Sequence, residues 1–190
     1  MLRRLRTQLP FDVMKMLYFT LIHPHLMYMT LIWGYDNQEV TTKQKQAIRV
    51  INSKHYLSHT DPLFKSTKIL KVSDLHIQSQ LKFCRKYING KLPEYFMKFN
   101  LKKNSDSHAY NTIHKDSYVL PKPGNESARK LLRNSIPSLM NNLSASLHEA
   151  LHSKSDYAIA NNFKYETLKT YSDQTRCDPS SSCWPCSVIY

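Results

Sequence analysis

His148, Glu149, Ala150, Leu151 and His152 spell H-E-x-x-H in the C-terminal third of a 190-residue chain. On a helix the two imidazoles share one face, with the glutamate placed as a general base over zinc-bound water, which is the chemistry of metal-assisted hydrolysis. Such a site also needs a third ligand and a sheet-lined cleft. The glycine and third histidine of one zinc-peptidase class are missing, Lys154 stands where an apolar residue usually follows, and Glu166 is closer than the third ligand of another class normally lies. No run of strand-like segments precedes the motif. It reads as a solvated helix face, and a zinc-dependent hydrolase is the alternative. Cys183, Trp184, Pro185 and Cys186 form a C-x-x-C with Cys177 upstream, but no fourth ligand closes a zinc site and no βαβ setting supports a thioredoxin-like one. No metal or cofactor is assigned; His148, His152, Cys183 and Cys186 are the only metal candidates.

The other chemistry open to this chain is phosphate binding. The formal charge is +13, and residues 1–105 carry 18 Lys/Arg against 6 Asp/Glu, whereas residues 106–190 carry 9 against 8. An imbalance of this kind points the first half at a polyanion. A helix from about Thr42 to Asn52 turns Ala47, Ile48 and Ile51 inward and leaves Lys43, Lys45 and Arg49 to solvent or phosphate. A further helix, with Ser73 and Asp74 as N-cap candidates, repeats Ile77, Leu81, Cys84 and Ile88 along a seam, and Lys82, Arg85 and Lys86 lie away from it. Arg3, Arg4 and Arg6 are expected as a flexible basic arm. Spacing does not decide whether Tyr56, Tyr87 or Tyr95 stacks on bases, and core packing is the default for each.

Helices must position these groups. Pro10 to Trp33 reads as one apolar helix, kinked or split at Pro24 and stopped at Gly34 to Asn37, with its aliphatic side chains buried on nearly every face. His23, Pro24 and His25 interrupt the run, so it is read as a core helix and not a membrane span or signal peptide. The expected fold class is mainly α, an irregular helical bundle. Residues 1–99 form a basic helical region, 100–125 a polar connector, 126–171 a helical extension built from 127–133, 137–152 and 162–171, and 172–190 a disordered Cys-containing tail. Four cysteines without an even framework fit a reducing compartment, and an intracellular location, cytoplasmic or nuclear, is expected rather than secretion.

Several phrases carry a family resemblance. Leu21, Ile22, His23, Pro24, Leu26 and Tyr28 lead to Trp33-Gly34; Gln44, Ala47, Ile48, Arg49 and Ile51 follow; then His59, Thr60, Pro62, Leu63 and Phe64, and Ile69, Leu70, Asp74 and Leu75. In this order they resemble the region just downstream of the polymerase palm in non-LTR (LINE-like, jockey-type) retrotransposon reverse transcriptases. Looser matches continue at His108, Tyr110 and Thr112, where Ile113 replaces the family's arginine, at Asn134 and Pro137, where Arg133 replaces its tryptophan, and at Phe163, Lys164, Leu168, Lys169 and Tyr171. Residues 172–190 have no counterpart.

The resemblance implies a thumb-like region that helps hold the template and primer duplex, with an RNA/DNA hybrid or RNA as the weakly specific partner. It implies no polymerase activity here, because that chemistry needs carboxylates binding two metal ions, including an adjacent aspartate pair. No two Asp in this chain are adjacent or one apart. A remnant that self-associates through the apolar helix at 16–33 is the remaining alternative.

Overall fold

Leu2–Leu5 (α1) forms a single helical turn in the computed structural model, which describes residues 2–34, 37–97, 101–106, 115–152 and 155–171. The arginine arm is thus anchored: Arg6 Nη2 donates to Ser53 O at 2.8 Å, 47 residues away. Regular structure is helical throughout, with no strand among the described residues and one isolated bridge, Lys103 with Tyr118. The 172–190 tail lies outside the described residues, as do Cys177, Cys183, Cys186, His108, Tyr110, Thr112 and Ile113.

Pro10, extended and pre-set in φ, leads into Phe11–Leu17 (α2). Pro24 has no N–H, and in a regular helix its ring meets the carbonyl four residues back. The chain accommodates it with a π-helical turn, Tyr18–Ile22, in which His23 N–H bonds to Tyr18 O, five back, ahead of His23–Met27 (α3). The true break comes later, where Met29 takes φ 52° before Thr30–Trp33 (α4). The expected burial on every face is not found. Met14, Tyr18 and Leu26 enter the core, while Met16, Tyr28 and Ile32 are 65%, 75% and 70% exposed. Gly34 does more than stop the helix: a Cβ there would lie 2.8 Å from His76 Nδ1, which itself sits 2.8 Å from Thr30 O.

Gln38–Ile51 (α5) begins four residues earlier than expected because Asn37 Oδ1 accepts from Val40 N at 3.1 Å and caps it. Its core face is Gln44, Ile48 and Ile51, with Ala47 turned partly to solvent. Gln44 is buried because it satisfies three groups: Nε2 donates to Tyr18 OH (3.0 Å) and Leu70 O (2.9 Å), and Oε1 accepts from Val72 N (2.9 Å). Asp61–Thr67 (α6) starts on Pro62 and buries Phe64. Val72–Ile88 (α7) holds Ser73 and Asp74 in its first turn rather than at its cap, and it ends where Gly90 takes φ 63°.

The chain forms two compact units whose division falls inside helices, not in the polar stretch at 100–125. The first is Met1–His76 with the segment from Lys164, and the second is Ile77–Phe163. In the first unit Tyr171 OH accepts from Lys71 N at 3.0 Å and donates to Asp74, and its ring packs edge-on to Phe64 and under Lys71 Nζ. Lys71 Nζ also reaches Asp61 Oδ2 at 2.9 Å. Burial holds the Asp74 carboxyl above the usual carboxylate range, against the opposing pull of Tyr171 and Lys71.

In the second unit, Leu81 and Cys84 of α7 are buried as the seam requires, and Ile77 and Ile88 are half-buried. Around them lie Glu94–Met97 (α8), Glu126–Arg129 (α9), Leu132–Asn141 (α10), Ala145–Leu151 (α11) and Asp156–Thr170 (α12), the last crossing the division. Gln78 Nε2 donates to Ala160 O and Gln80 Nε2 to Ser135 Oγ, each at 3.0 Å. Pro137 lies inside α10 and does not begin a helix; Ile136, Pro137 and Met140 are all buried, and that burial outweighs one missing hydrogen bond. The connector is tied down too, since Asn141 exchanges hydrogen bonds with Tyr118 N (2.8 Å) and Tyr118 O (2.9 Å).

Candidate nucleic-acid interface

α5 makes a complete turn every 3.6 residues, which sets Lys43, Gln46, Ala47 and Val50 on one side with Arg49 at its edge, and the Gln44, Ile48 and Ile51 core face on another. Against the first group lie α1, Arg6 and the π turn. Together they bound a cleft of about 1010 Å³ within the first unit, its far wall being the loop with Lys54, His55 and Tyr56. Leu2, Leu21, Ile22, Ala47 and Val50 give it an apolar floor. Arg3, Arg6, Lys43, Arg49 and Lys54 supply the charge, and no Asp or Glu is among the described residues lining it.

Two of these cations build the wall as well as charging it. After α5, Ser53 adopts φ 51°, and Lys54 N bonds back to Arg49 O at 3.0 Å, which reverses the chain. Arg49 Nε then donates to Ser58 O at 2.7 Å and closes the loop, while Arg6 holds Ser53. The loop therefore presents Tyr56, 69% exposed, with the His55 ring 4.4 Å away centre to centre. Among the described residues no carboxylate pairs with Arg3, Arg6, Lys43, Arg49 or Lys54. Burial holds Arg49 below the ordinary guanidinium value, so this charge is poorly hydrated and has no acid beside it.

The nine cations expected from the sequence thus separate. Arg3, Arg6, Lys43 and Arg49 converge on the cleft, while Arg4 and Lys45 lie outside its lining. Lys82, Arg85 and Lys86 belong to the second unit. Lys86 is exposed and Lys82 half-buried, but Arg85 is 3% exposed and its guanidinium is engaged by Asp156, so it is withdrawn from any phosphate at the surface. Lys54 and His55 were not anticipated, and no periodicity marks them; Tyr56 and Tyr95, placed in the core by default, are 69% and 78% exposed. A second cationic group, also unanticipated, forms where Lys164 is held below its usual value, first by burial and then by Lys15 and Lys68.

The metal candidates fare differently. His148 and His152 are exposed on and just after α11 with ring centres 5.6 Å apart, and among the described residues no group of three His, Cys, Asp or Glu could hold a metal ion. The thiol of Cys84 is buried and pushed up to about 12 by desolvation, which makes it inert. His23 packs its ring 5.2 Å from that of Phe19, in keeping with a packing role. No described helix is long and apolar enough to cross a membrane. No family model matches this chain, and no curated protein or solved structure matches it.

Proposed function

We propose that this chain derives from the thumb-side region of a non-LTR retrotransposon reverse transcriptase and binds nucleic acid through the cleft of its first unit, without polymerase chemistry of its own. The observation that carries the reading is the convergence of five cations, none paired with a carboxylate among the described residues, around a cleft whose described lining contains no acid. Cations of this kind address phosphates and not bases, so binding is weakly specific and an RNA/DNA hybrid or RNA is the expected partner. Several residues of the phrases that carry the resemblance also hold the fold together. Gln44 links three segments, Gly34 allows His76 to approach, and Asp74 receives Tyr171.

Fluorescence anisotropy with a labelled RNA/DNA hybrid at several salt concentrations tests this. Affinity is expected to fall log-linearly with salt, and changing Arg3, Lys43 and Lys54 together to Ala should flatten the slope by about 2 to 3. An unchanged slope removes the cleft from the account. These three are chosen because they are exposed and no side-chain bond ties them into the fold, so folding is not at stake.

A second reading, self-association, is favoured by one observation: Phe11, Met16, Phe19, Tyr28, Met29 and Ile32 remain exposed along α2 to α4. Sedimentation velocity separates the two. A coefficient that rises with concentration and reverts to the monomer value in Met16→Glu/Ile32→Glu supports association; a constant coefficient rejects it.

A further inference from the structure

The cleft is larger and more apolar than phosphate binding requires. Phosphates need only the cationic rim, yet the floor is formed by Leu21, Ile22, Ala47 and Val50. A nucleic acid offers apolar surface only on the faces of its bases, and in a duplex those faces are already stacked on one another. A paired strand therefore leaves this floor bare, whereas an unstacked base covers it. The edge of the cleft carries the matching feature, an exposed Tyr56 ring backed by His55 at 4.4 Å. Both rings sit on a loop fixed at each end, by Arg6 to Ser53 and by Arg49 to Ser58. An acyl chain would use the floor but not this aromatic edge.

We infer that the cleft takes an unpaired nucleotide, its base over the apolar floor against Tyr56 and its flanking phosphates on the cationic rim, so that this chain prefers a nucleic acid with a single-stranded end to a blunt duplex. This rests on the phosphate-binding reading above and adds a substrate class to it. The volume, about 1010 Å³, is at the upper end of what small-molecule sites span and leaves room for a base with its sugar.

The test compares, by anisotropy on the full chain, a blunt RNA/DNA hybrid with one of equal phosphate count carrying a single-stranded overhang. The wild type is expected to bind the overhang probe about tenfold more tightly. Tyr56→Ala should cut that ratio below about twofold, and Tyr56→Phe, which keeps the ring, should retain it. Tyr95→Ala serves as the comparison, an equally exposed tyrosine in the second unit, and should leave the ratio intact. Equal affinity of the wild type for both probes, or a ratio that survives Tyr56→Ala, overturns the inference. If blunt-hybrid binding still weakens steeply with salt in that case, the phosphate-binding reading stands. No binding of either probe by folded protein sinks both. Phosphatidylserine vesicles that displace the overhang probe in a Tyr56-dependent way overturn the inference by assigning the cleft to an anionic lipid.

Discussion

Gln44→Leu is expected to destabilise the first unit by about 3 kcal/mol, although it replaces a polar side chain in the core by an apolar one of similar size. The substitution opens little cavity, so the loss isolates the polar contribution. It orphans Val72 N–H, Leu70 C=O and the Tyr18 hydroxyl together, and each buried group left without a partner costs about 1–3 kcal/mol, partly offset by the added apolar burial. Tyr18 has little else to turn to. It is fully buried, and desolvation already pushes its hydroxyl up to about 12, with the Gln44 bond acting the other way. For a chain of this size the loss corresponds to a drop of about 6–12 °C in midpoint, read by thermal unfolding. A drop below about 2 °C would mean that water or a shifted backbone takes over the three bonds.

The same residue shows how far the sequence could be read. Apolar spacing found α5 and its direction, since Ile48 and Ile51 are at 0% and 3% exposure. It placed Ala47 on the core face instead of Gln44, because an amide in a pattern counts as a solvent-facing residue unless its buried partners are known. Those partners lie 26 to 28 residues away, beyond the reach of any local window. Pro24 was legible as a disturbance, but its accommodation by a π turn upstream was not, since that depends on whether a carbonyl can be moved aside. Pro137 was taken for a boundary, yet the burial of Ile136 and Met140 beside it outweighs the missing hydrogen bond.

The candidate site was legible in charge and not in shape. Lys43 and Arg49 both line the cleft although helical geometry sets them about 120° apart, and Lys45, only about 40° from Arg49 around the helix, does not line it. The opposite wall depends on Ser53 at positive φ, a conformation that a serine does not announce. It is that turn, with the Arg49 to Ser58 bond, that brings Lys54, His55 and Tyr56 back over the helix. Tyr56 was given to the core by default, because spacing could not decide its role, and it is among the most exposed aromatic residues described.

Arg85 is the sharpest divergence between a basic residue in a pattern and one in a fold, and it gives the second large expected effect. Asp156→Ala should cost the second unit about 2–3 kcal/mol, because it removes the carboxylate that engages a guanidinium whose side chain is only 4% exposed. The upper end of the range for breaking a buried pair is not reached, since the pair opens to solvent on its Asp156 side, which is 44% exposed, and water entering there replaces part of the lost interaction. Replacing both partners is a different matter: Arg85→Met with Asp156→Ala removes the buried charge and leaves an apolar stem beside Leu81 and Cys84 on α7. Its stability is expected to return to within about 1 kcal/mol of wild type by urea unfolding. The double variant also reports on function. If Arg85 serves the fold alone, the salt slope of hybrid binding stays where it was; a slope lowered by about 1 would return Arg85 to the phosphate-contacting set.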